Sequence, residues 1–526
     1  MCGITGVVTK SKQLGPIGPI AYDLLLHEQH RGEESAGISV CDDNGIETLK
    51  GLGPVIAALP AEKVLNLDGY AALTQNRYST TGTGVTKQDK LQFQLGRFRG
   101  NAWKKNAQPF FRRSLRIGDA AIVHNGNLTN AQELKNWLRN DLGLEFKGQS
   151  DTEVILVLIM YYAEYENMSL LEAVRKAMTK MKGAYSCLLL TKEGIIAFRD
   201  KKGFRPLEIG EDDNYFYFAS EPCAWHLLQA KHLGEVEPGE IIEAKIGSPE
   251  LIRHKPPKKS RLAICIFCYI YLMAIQNPKV KKIRDRYGQA LFRHHPLPGL
   301  IISMMESGQG AALGYSFAQA INLPGQGCYD NALPKDPHMG RSFLEAEQLD
   351  REAVNRLKYY YLLPQIADKI EYFATIMETV WIIIVDDSLV RGTVARIIIQ
   401  AIRELIQEYY PHLAHKIKIA WLVSAPPYKF PCYMGIDTYE KENLIAWRIE
   451  QQLKVANPDQ EISQEALIEA IRQEIGADNL GYLPVDEAKQ ITAGVLGLKP
   501  SELCDACFTG NYPIPVDHCQ HKMSCA

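Results

Sequence analysis

No stretch of this 526-residue chain is apolar for long enough to span a bilayer; the strongest runs, residues 262–274 and 381–385, stop well short. An excess of one charge is also missing. Lys and Arg number 59 against 61 Asp and Glu, a net charge of −2, which excludes a polyelectrolyte preference for nucleic acid. The first 30 residues lack a basic start followed by an apolar run, so no secretory signal is expected and a cytoplasmic location is. Internal repeats and low-complexity tracts are absent, which excludes a solenoid. What remains is ordinary globular composition, 46% hydrophobic, at a length that suits about two to four domains.

Cysteine is not scarce. Twelve cysteines in a chain expected in a reducing compartment point to catalysis or metal rather than disulfides. The most telling is Cys2. Removal of Met1 makes it the N-terminal residue, and its α-amine, with a pKa of ~7.7–8.0, can accept the thiol's proton. Nucleophile and base then share one residue.

A series of short motifs follows in order: His30-Arg31-Gly32-Glu33-Glu34-Ser35-Ala36-Gly37, Arg77-Tyr78-Ser79-Thr80, Asn106-Ala107-Gln108-Pro109-Phe110, His124-Asn125-Gly126-Asn127 and Ser150-Asp151-Thr152-Glu153. Behind an N-terminal cysteine this series resembles the class II glutamine amidotransferases. That family has the N-terminal-nucleophile hydrolase fold, a four-layer αββα sandwich, here over roughly the first 250 residues. Glutamine offers a carboxylate, an ammonium and an amide. Arg77 suits the carboxylate, Asp151 the ammonium, and Cys2 the amide carbonyl. The Asn125 side chain and Gly126 N–H suit the oxyanion. Taken singly, Arg77 also reads as a salt-bridge residue, Asp151 as a helix cap and Asn125-Gly126 as a turn.

Residues 185–190 and 194–199 read as a hairpin turning at Glu193-Gly194, residues 170–181 as a helix, and Ile241-Ile242 as the start of a strand. Lys255-Pro256-Pro257-Lys258-Lys259 reads as a linker, dividing domains at 1–258 and 259–526. Beyond it helices (284–293, 311–320, 396–409) alternate with strands (300–304, 381–385), a doubly wound α/β pattern.

The run Ile382-Ile383-Ile384-Val385-Asp386-Asp387-Ser388-Leu389-Val390-Arg391-Gly392-Thr393 ends an apolar strand in two acids and opens a helix after a small polar loop. Open α/β sheets bind ligands at that edge, and helix N-termini bind phosphate. The run resembles the phosphoribosyl pyrophosphate loop of type I phosphoribosyltransferases. Joined to the N-terminal half, the chain resembles the glutamine phosphoribosylpyrophosphate amidotransferases over nearly its whole length. That resemblance implies transfer of the glutamine amide nitrogen to phosphoribosyl pyrophosphate, giving phosphoribosylamine, glutamate and pyrophosphate, the first step of purine synthesis. It implies that Asp386 and Asp387 contact ribose or Mg²⁺, that Ser388, Arg391, Gly392 and Thr393 bind the 5′-phosphate, and that Ser307 is a metal contact. Arg341-Ser342-Phe343 would end a closing loop. A homotetramer with purine-nucleotide feedback is also implied, with no nucleic-acid or membrane partner.

Cys504-Asp505-Ala506-Cys507 by itself fits a redox pair or half a zinc site. The resemblance supplies Cys265 and Cys432 as partners, and the four imply a [4Fe–4S] cluster; four thiolates suit zinc as well. Cys268 is an extra neighbour, and Cys519, His521 and Cys525 read as tail.

Several residues depart from the family pattern. Glu306 stands where aspartate is usual, after Met304-Met305. Ala274-Ile275-Gln276-Asn277 replaces an arginine-containing stretch, and residues 329–339 lack the usual mobile-loop spelling. Val394 follows Thr393, Glu34 replaces glutamine, Thr74-Gln75-Asn76 leads into Arg77, and residues 84–105 form a basic insertion. These departures leave two alternatives: a paralogue with glutaminase chemistry and an altered acceptor, or a non-catalytic regulatory protein on the same scaffold.

Overall fold

The computed structural model describes residues 2–77, 106–258, 260–304, 306–331, 362–438, 440–456 and 458–516. Tyr78-Ser79-Thr80, the 84–105 insertion, the loop beyond residue 331 with Arg341-Ser342-Phe343, and the tail bearing Cys519, His521 and Cys525 lie outside the described residues. Among the described residues no helix is long and apolar enough to cross a membrane.

The chain divides into two compact units. One contains Met1–Cys265, Cys432–Tyr439 and the described part of Tyr512–Ala526; the other contains Ile266–Pro431 and Glu440–Asn511. The division falls seven residues past the expected boundary at 258, and the expected 259–526 stretch is not one piece. Two of its segments fold with the N-terminal unit, because their partners lie there rather than nearby in sequence.

Among the described residues, the first unit stacks two antiparallel sheets of seven and six strands. Gly3–Thr9 runs between Tyr215–Ala219 and Ala71–Arg77, with Thr5 opposite Ala219 and Gly3 opposite Asn76. In the other sheet Ala120–Leu128 pairs with Gly183–Thr191, which turns into Gly194–Arg199 as the hairpin pattern predicts. Ile4, Val8 and Leu73 meet Val123, Leu188, Leu190 and Ala197 between the sheets. Outside the first sheet, Ala21, Leu24 and Leu25 of the helix Ile17–His27 cover Val7 and Tyr217. Outside the second, the helices Asp151–Glu164 and Leu170–Lys180 cover Ile122, Leu189 and Phe198. The result is the expected αββα sandwich. The helix Leu170–Lys180 starts at a reciprocal Ser169/Glu172 cap and puts Ala173, Val174 and Ala177 inward.

Among the described residues, the second unit carries a sheet of five parallel strands. Across the sheet they run Gly327–Asp330, Gly299–Ser303, Val380–Asp386, Ile417–Val423 and Asn479–Tyr482, so the chain's second strand lies outside its first, and the third on the first's other side. This is the doubly wound order, with its switch point between the first and third strands. Such strands are buried on both faces and so read as continuous apolar runs. Asn277 caps the helix Pro278–His294, accepting the Lys279 N–H at 3.0 Å, with Pro278 at its first position.

That helix lies against Gln309–Asn322 with backbones nearly touching. A Cβ on Gly288 would sit 1.8 Å from the Ala311 carbonyl oxygen, and one on Gly314 2.0 Å from that of Asp285. Alanine gains up to ~1 kcal/mol over glycine in a helix, but parting packed helices costs ~1–3 kcal/mol. Gly314→Ala is therefore expected to lower the urea midpoint. Gly494→Ala in the helix Val485–Leu496, where a Cβ meets nothing within 4 Å, should raise it. Urea denaturation of the two variants checks both signs.

Candidate active sites

Cys2 immediately precedes the central strand Gly3–Thr9. Side chains two apart share a face, so Cys2 points with Ile4 towards the second sheet. The register that pairs Gly3 with Asn76 places Arg77 across from Cys2, on the face that carries Leu73 inward. On the facing sheet Val123 points inward, and Asn125 follows it two residues on. Strand alternation thus turns Cys2, Arg77 and Asn125 towards the space between the sheets. Asn125 is 1% exposed, yet neither end of its carboxamide has a hydrogen-bond partner among the described residues. An unmade bond on a buried amide costs ~1–3 kcal/mol, so this side chain is held ready for something else. Gly126 is required as glycine: its φ is +153°, and a Cβ there would lie 2.0 Å from the Ala184 carbonyl oxygen.

Asp151 opens the helix Asp151–Glu164; the cap is Ser150, which accepts the Thr152 N–H at 3.2 Å. Asp151 Oδ2 accepts the Leu128 N–H at 3.0 Å, and its Oδ1 lies 3.6 Å from His124 Nδ1. This ties it to the far end of the Asn125 strand. Arg77 is buried, with Glu34 Oε2 3.6 Å from its Nε. The Glu34 departure therefore puts a carboxylate beside the arginine.

Sequence reasoning missed what lies under Cys2. Arg31 is fully buried and its Nε donates to the Cys2 carbonyl at 3.2 Å. Its guanidinium pairs with Glu221 at 2.5 Å and Glu28 at 3.4 Å, both fully buried. Asn76 joins them, accepting the Gly3 N–H at 2.8 Å and donating to the Glu28 carbonyl at 2.6 Å. Burial pushes the Glu28 carboxyl well up, with Arg31 opposing and Glu221 adding to the push. Arg31 stood in a quoted motif without a role; nothing local marks Glu221, 190 residues away. Gln75, also fully buried and unpartnered, was seen only as a departure. His30, Glu221 and Cys223 come close enough to share a metal ion. Glu221 already holds Arg31, however, and burial pushes the Cys223 thiol up. That chemistry favours an ion-pair network over a metal.

In the second unit the switch-point crevice is walled by two loops. One follows Gly299–Ser303 and carries Glu306, at φ +42°, and Ser307. The other follows Val380–Asp386 and ends at Gly392, whose φ of +76° starts the helix Thr393–Tyr409. The Ser307 hydroxyl donates to one Asp387 carboxylate oxygen, and the Ser388 hydroxyl to the other at 2.6 Å. Asp386 accepts the Asp387 N–H at 2.9 Å. Burial pushes both carboxyls up. Asp387 adds to the push on Asp386, while the two serine hydroxyls pull Asp387 back. Arg391 and Thr393 are exposed, and Gly392 is buried against Ile445. All the predicted residues of this site fall on the last residue of the strand Val380–Asp386, the two loops and the helix start.

The four singled-out cysteines are buried or half-buried. Cys265 and Cys432 belong to the first unit, Cys504 and Cys507 to the second, as does Cys268. Cys432 Sγ accepts the Met434 N–H at 3.4 Å.

Comparison with known proteins gives the family. Residues 97–226 match the model of a glutamine amidotransferase domain. The chain is 31% identical to an amidophosphoribosyltransferase of Methanothermobacter thermautotrophicus, over 98% of this chain and 95% of that one. It is 33% identical to one of Methanocaldococcus jannaschii, over 98% of each. Among solved structures it is similar to the glutamine phosphoribosylpyrophosphate amidotransferase of B. subtilis complexed with ADP and GMP. The TM-score is 0.74 at 28% identity, covering 100% of this chain and 99% of that one. It is also similar to a structure described as the allosteric regulatory enzyme of purine biosynthesis, with a TM-score of 0.76 at 28% identity, over 99% and 98% of the two chains.

Two adjacent buried carboxylates cost stability when ionised. Because both are raised on folding, the penalty is absent below the ordinary carboxylate pKa of ~3.9 and grows as pH rises through the folded values. Asp386→Asn, assayed in chelator without ligands, is expected to raise Tm by about 2–4 °C, as ~1 kcal/mol does at this size. The gap from wild type should widen as pH rises above the ordinary carboxylate range. Calorimetry at several pH values checks it.

Proposed function

The chain belongs to the amidophosphoribosyltransferase family, and we propose how its residues divide that family's reaction. The reaction moves the amide nitrogen of glutamine to phosphoribosyl pyrophosphate and releases glutamate and pyrophosphate. With Met1 removed, the Cys2 α-amine takes the thiol proton and the sulfur attacks the amide carbonyl. The oxyanion is met by the Asn125 carboxamide N–H and the Gly126 N–H. Collapse breaks the C–N bond, the amine returns its proton to the leaving ammonia, and a thioester remains for water to cleave. Arg77 holds the substrate carboxylate and Asp151 its ammonium. The observation that carries this reading is Asn125, buried and unpartnered on the face that Cys2 shares. It also favours a working glutaminase over a non-catalytic scaffold.

At the second site ammonia attacks the anomeric carbon and pyrophosphate leaves. Asp386 and Asp387 address the ribose. Ser388, Arg391, Gly392 and Thr393 take the 5′-phosphate, with the helix start at Thr393 adding its N–H groups. Ser307, Asp386 and Asp387 offer the hard oxygen donors that Mg²⁺ prefers. Two buried carboxyls pushed up in its absence fit a cation there. Mg²⁺ would offset the pyrophosphate's charge.

Cys265, Cys432, Cys504 and Cys507 would hold a [4Fe–4S] cluster. The N–H donated to Cys432 Sγ is a contact that suits a cluster thiolate. The reaction moves no electrons, so the cluster's part is structural or oxygen-sensing. We further propose a cytoplasmic homotetramer inhibited by purine nucleotides, in line with the relative solved with ADP and GMP.

The test uses protein purified without oxygen, with glutamine and Mg²⁺. Glutamate and pyrophosphate release should depend on phosphoribosyl pyrophosphate. Cys2→Ala should lose glutamine-dependent turnover and keep ammonia-dependent turnover, and Asn125→Ala should lower glutaminase kcat by about 10²–10³. Glutamate release indifferent to phosphoribosyl pyrophosphate, with no pyrophosphate formed, would favour a paralogue with another acceptor. Elemental analysis of the same protein should find about four iron and four labile sulfide per chain; zinc instead would overturn the cluster.

A further inference from the structure

The oxyanion strand is backed by a turn that the chain delivers from far away. Cys432–Tyr439 belongs to the first unit, and its residues Tyr433 and Gly435 lie on Asn127 and Gly126. Asn127, one residue past the oxyanion glycine, donates from Nδ2 to the Tyr433 carbonyl at 2.8 Å, across 306 residues of sequence. Arg205, fully buried, donates from Nε and Nη2 to the Met434 carbonyl at 3.1 and 2.6 Å. Its own carbonyl accepts the Ser186 hydroxyl at 3.1 Å, and Ser186 is the cross-strand partner of Asn125. Between these two anchors Gly435 meets Gly126 backbone to backbone. A Cβ on Gly435 would lie 2.7 Å from the Gly126 carbonyl oxygen, and its φ of +109° suits glycine alone. On its other side Gly126 is stopped by the Ala184 carbonyl. Gly126, whose N–H must be aimed at the oxyanion, is thus confined on its carbonyl side by this turn and at its Cα by the Ala184 carbonyl of the neighbouring strand. The turn is itself locked, Thr438 N–H donating to the Ile436 carbonyl at 2.9 Å and Cys432 N–H to that of Thr438 at 3.3 Å.

We infer that residues 433–435 are a positioning element for the oxyanion donors, with Asn127, Arg205 and Gly435 as its positioning residues. None of them touches substrate. They fix the plane of the Gly126 peptide and the height of Asn125, where an error of tenths of an ångström weakens bonds made only in the transition state. The inference rests on the reading of Cys2, Asn125 and Gly126 as the glutaminase site.

The test compares full-length, cluster-loaded wild type with Asn127→Ala and Gly435→Ala. The first removes one anchor; the second forces the turn off Gly126. Each is expected to lower glutamine-dependent kcat by about 10- to 100-fold, short of the ~10²–10³ for deleting a donor outright. KM for glutamine, ammonia-dependent turnover and Cys2 alkylation by iodoacetamide should all stay within about twofold of wild type, since none of them uses the oxyanion donors. Unchanged glutamine-dependent kcat in Asn127→Ala, or glutamine- and ammonia-dependent turnover falling together with Tm in both variants, would overturn the inference. A wild type without Cys2-dependent glutaminase would overturn the underlying reading as well, so the two failures are told apart by the wild-type control.

Discussion

The first unit depends on the seating of its own first strand. A chain terminus normally frays, and a nucleophile on residue 2 would fray with it. Here Gly3–Thr9 is hydrogen-bonded on both sides, to Tyr215–Ala219 and Ala71–Arg77. Its entry point is pinned further by Arg31 on the Cys2 carbonyl and Asn76 on the Gly3 N–H. Burying Arg31 with Glu28 and Glu221 is costly unless every charge is matched, and the cost shows in the Glu28 carboxyl, which burial pushes well up. The register then does the rest, because fixing Gly3 opposite Asn76 also sets Arg77 opposite Cys2.

The second unit applies a different constraint. A parallel sheet buries both faces, so its chemistry can sit only at strand ends, and the winding order selects which ends. Asp386, Asp387 and Ser307 come together because the chain reverses its direction of winding between the strands Gly299–Ser303 and Val380–Asp386. The acids are uncomfortable there, as their raised carboxyls show.

Much of this was legible in the sequence, where local pattern decides local structure. The hairpin turning at Glu193-Gly194, the capped helix from Leu170 and the apolar strand ending at Asp386 all form as their residues imply. The hydrogen-bonding partners of the site were not legible. Glu221 under Arg31 and Tyr433 on Asn127 lie 190 and 306 residues away, and no periodicity records such a pairing. The linker at 255–259 was visible as prolines amid charge, but the return of Cys432–Tyr439 to the first unit was not. A segment reads as part of its sequence neighbourhood unless its side chains protest, and Met434-Gly435-Ile436 do not.

The sequence by itself carries the chemistry proposed: a thiol that shares a residue with its base once Met1 is removed, an arginine, an amide–glycine pair, and two acids before a small polar loop. Those are properties of residue types in order, and order survives unfolding. Only the tertiary structure decided the aim. Asn125 is left unpartnered, Gly126 is held between Ala184 and Gly435, and Ser307 reaches Asp387 across the switch point. The reason is physical: hydrogen bonds and backbone contacts act over about 3 Å, and which groups come that close is settled by packing between segments that the sequence keeps far apart.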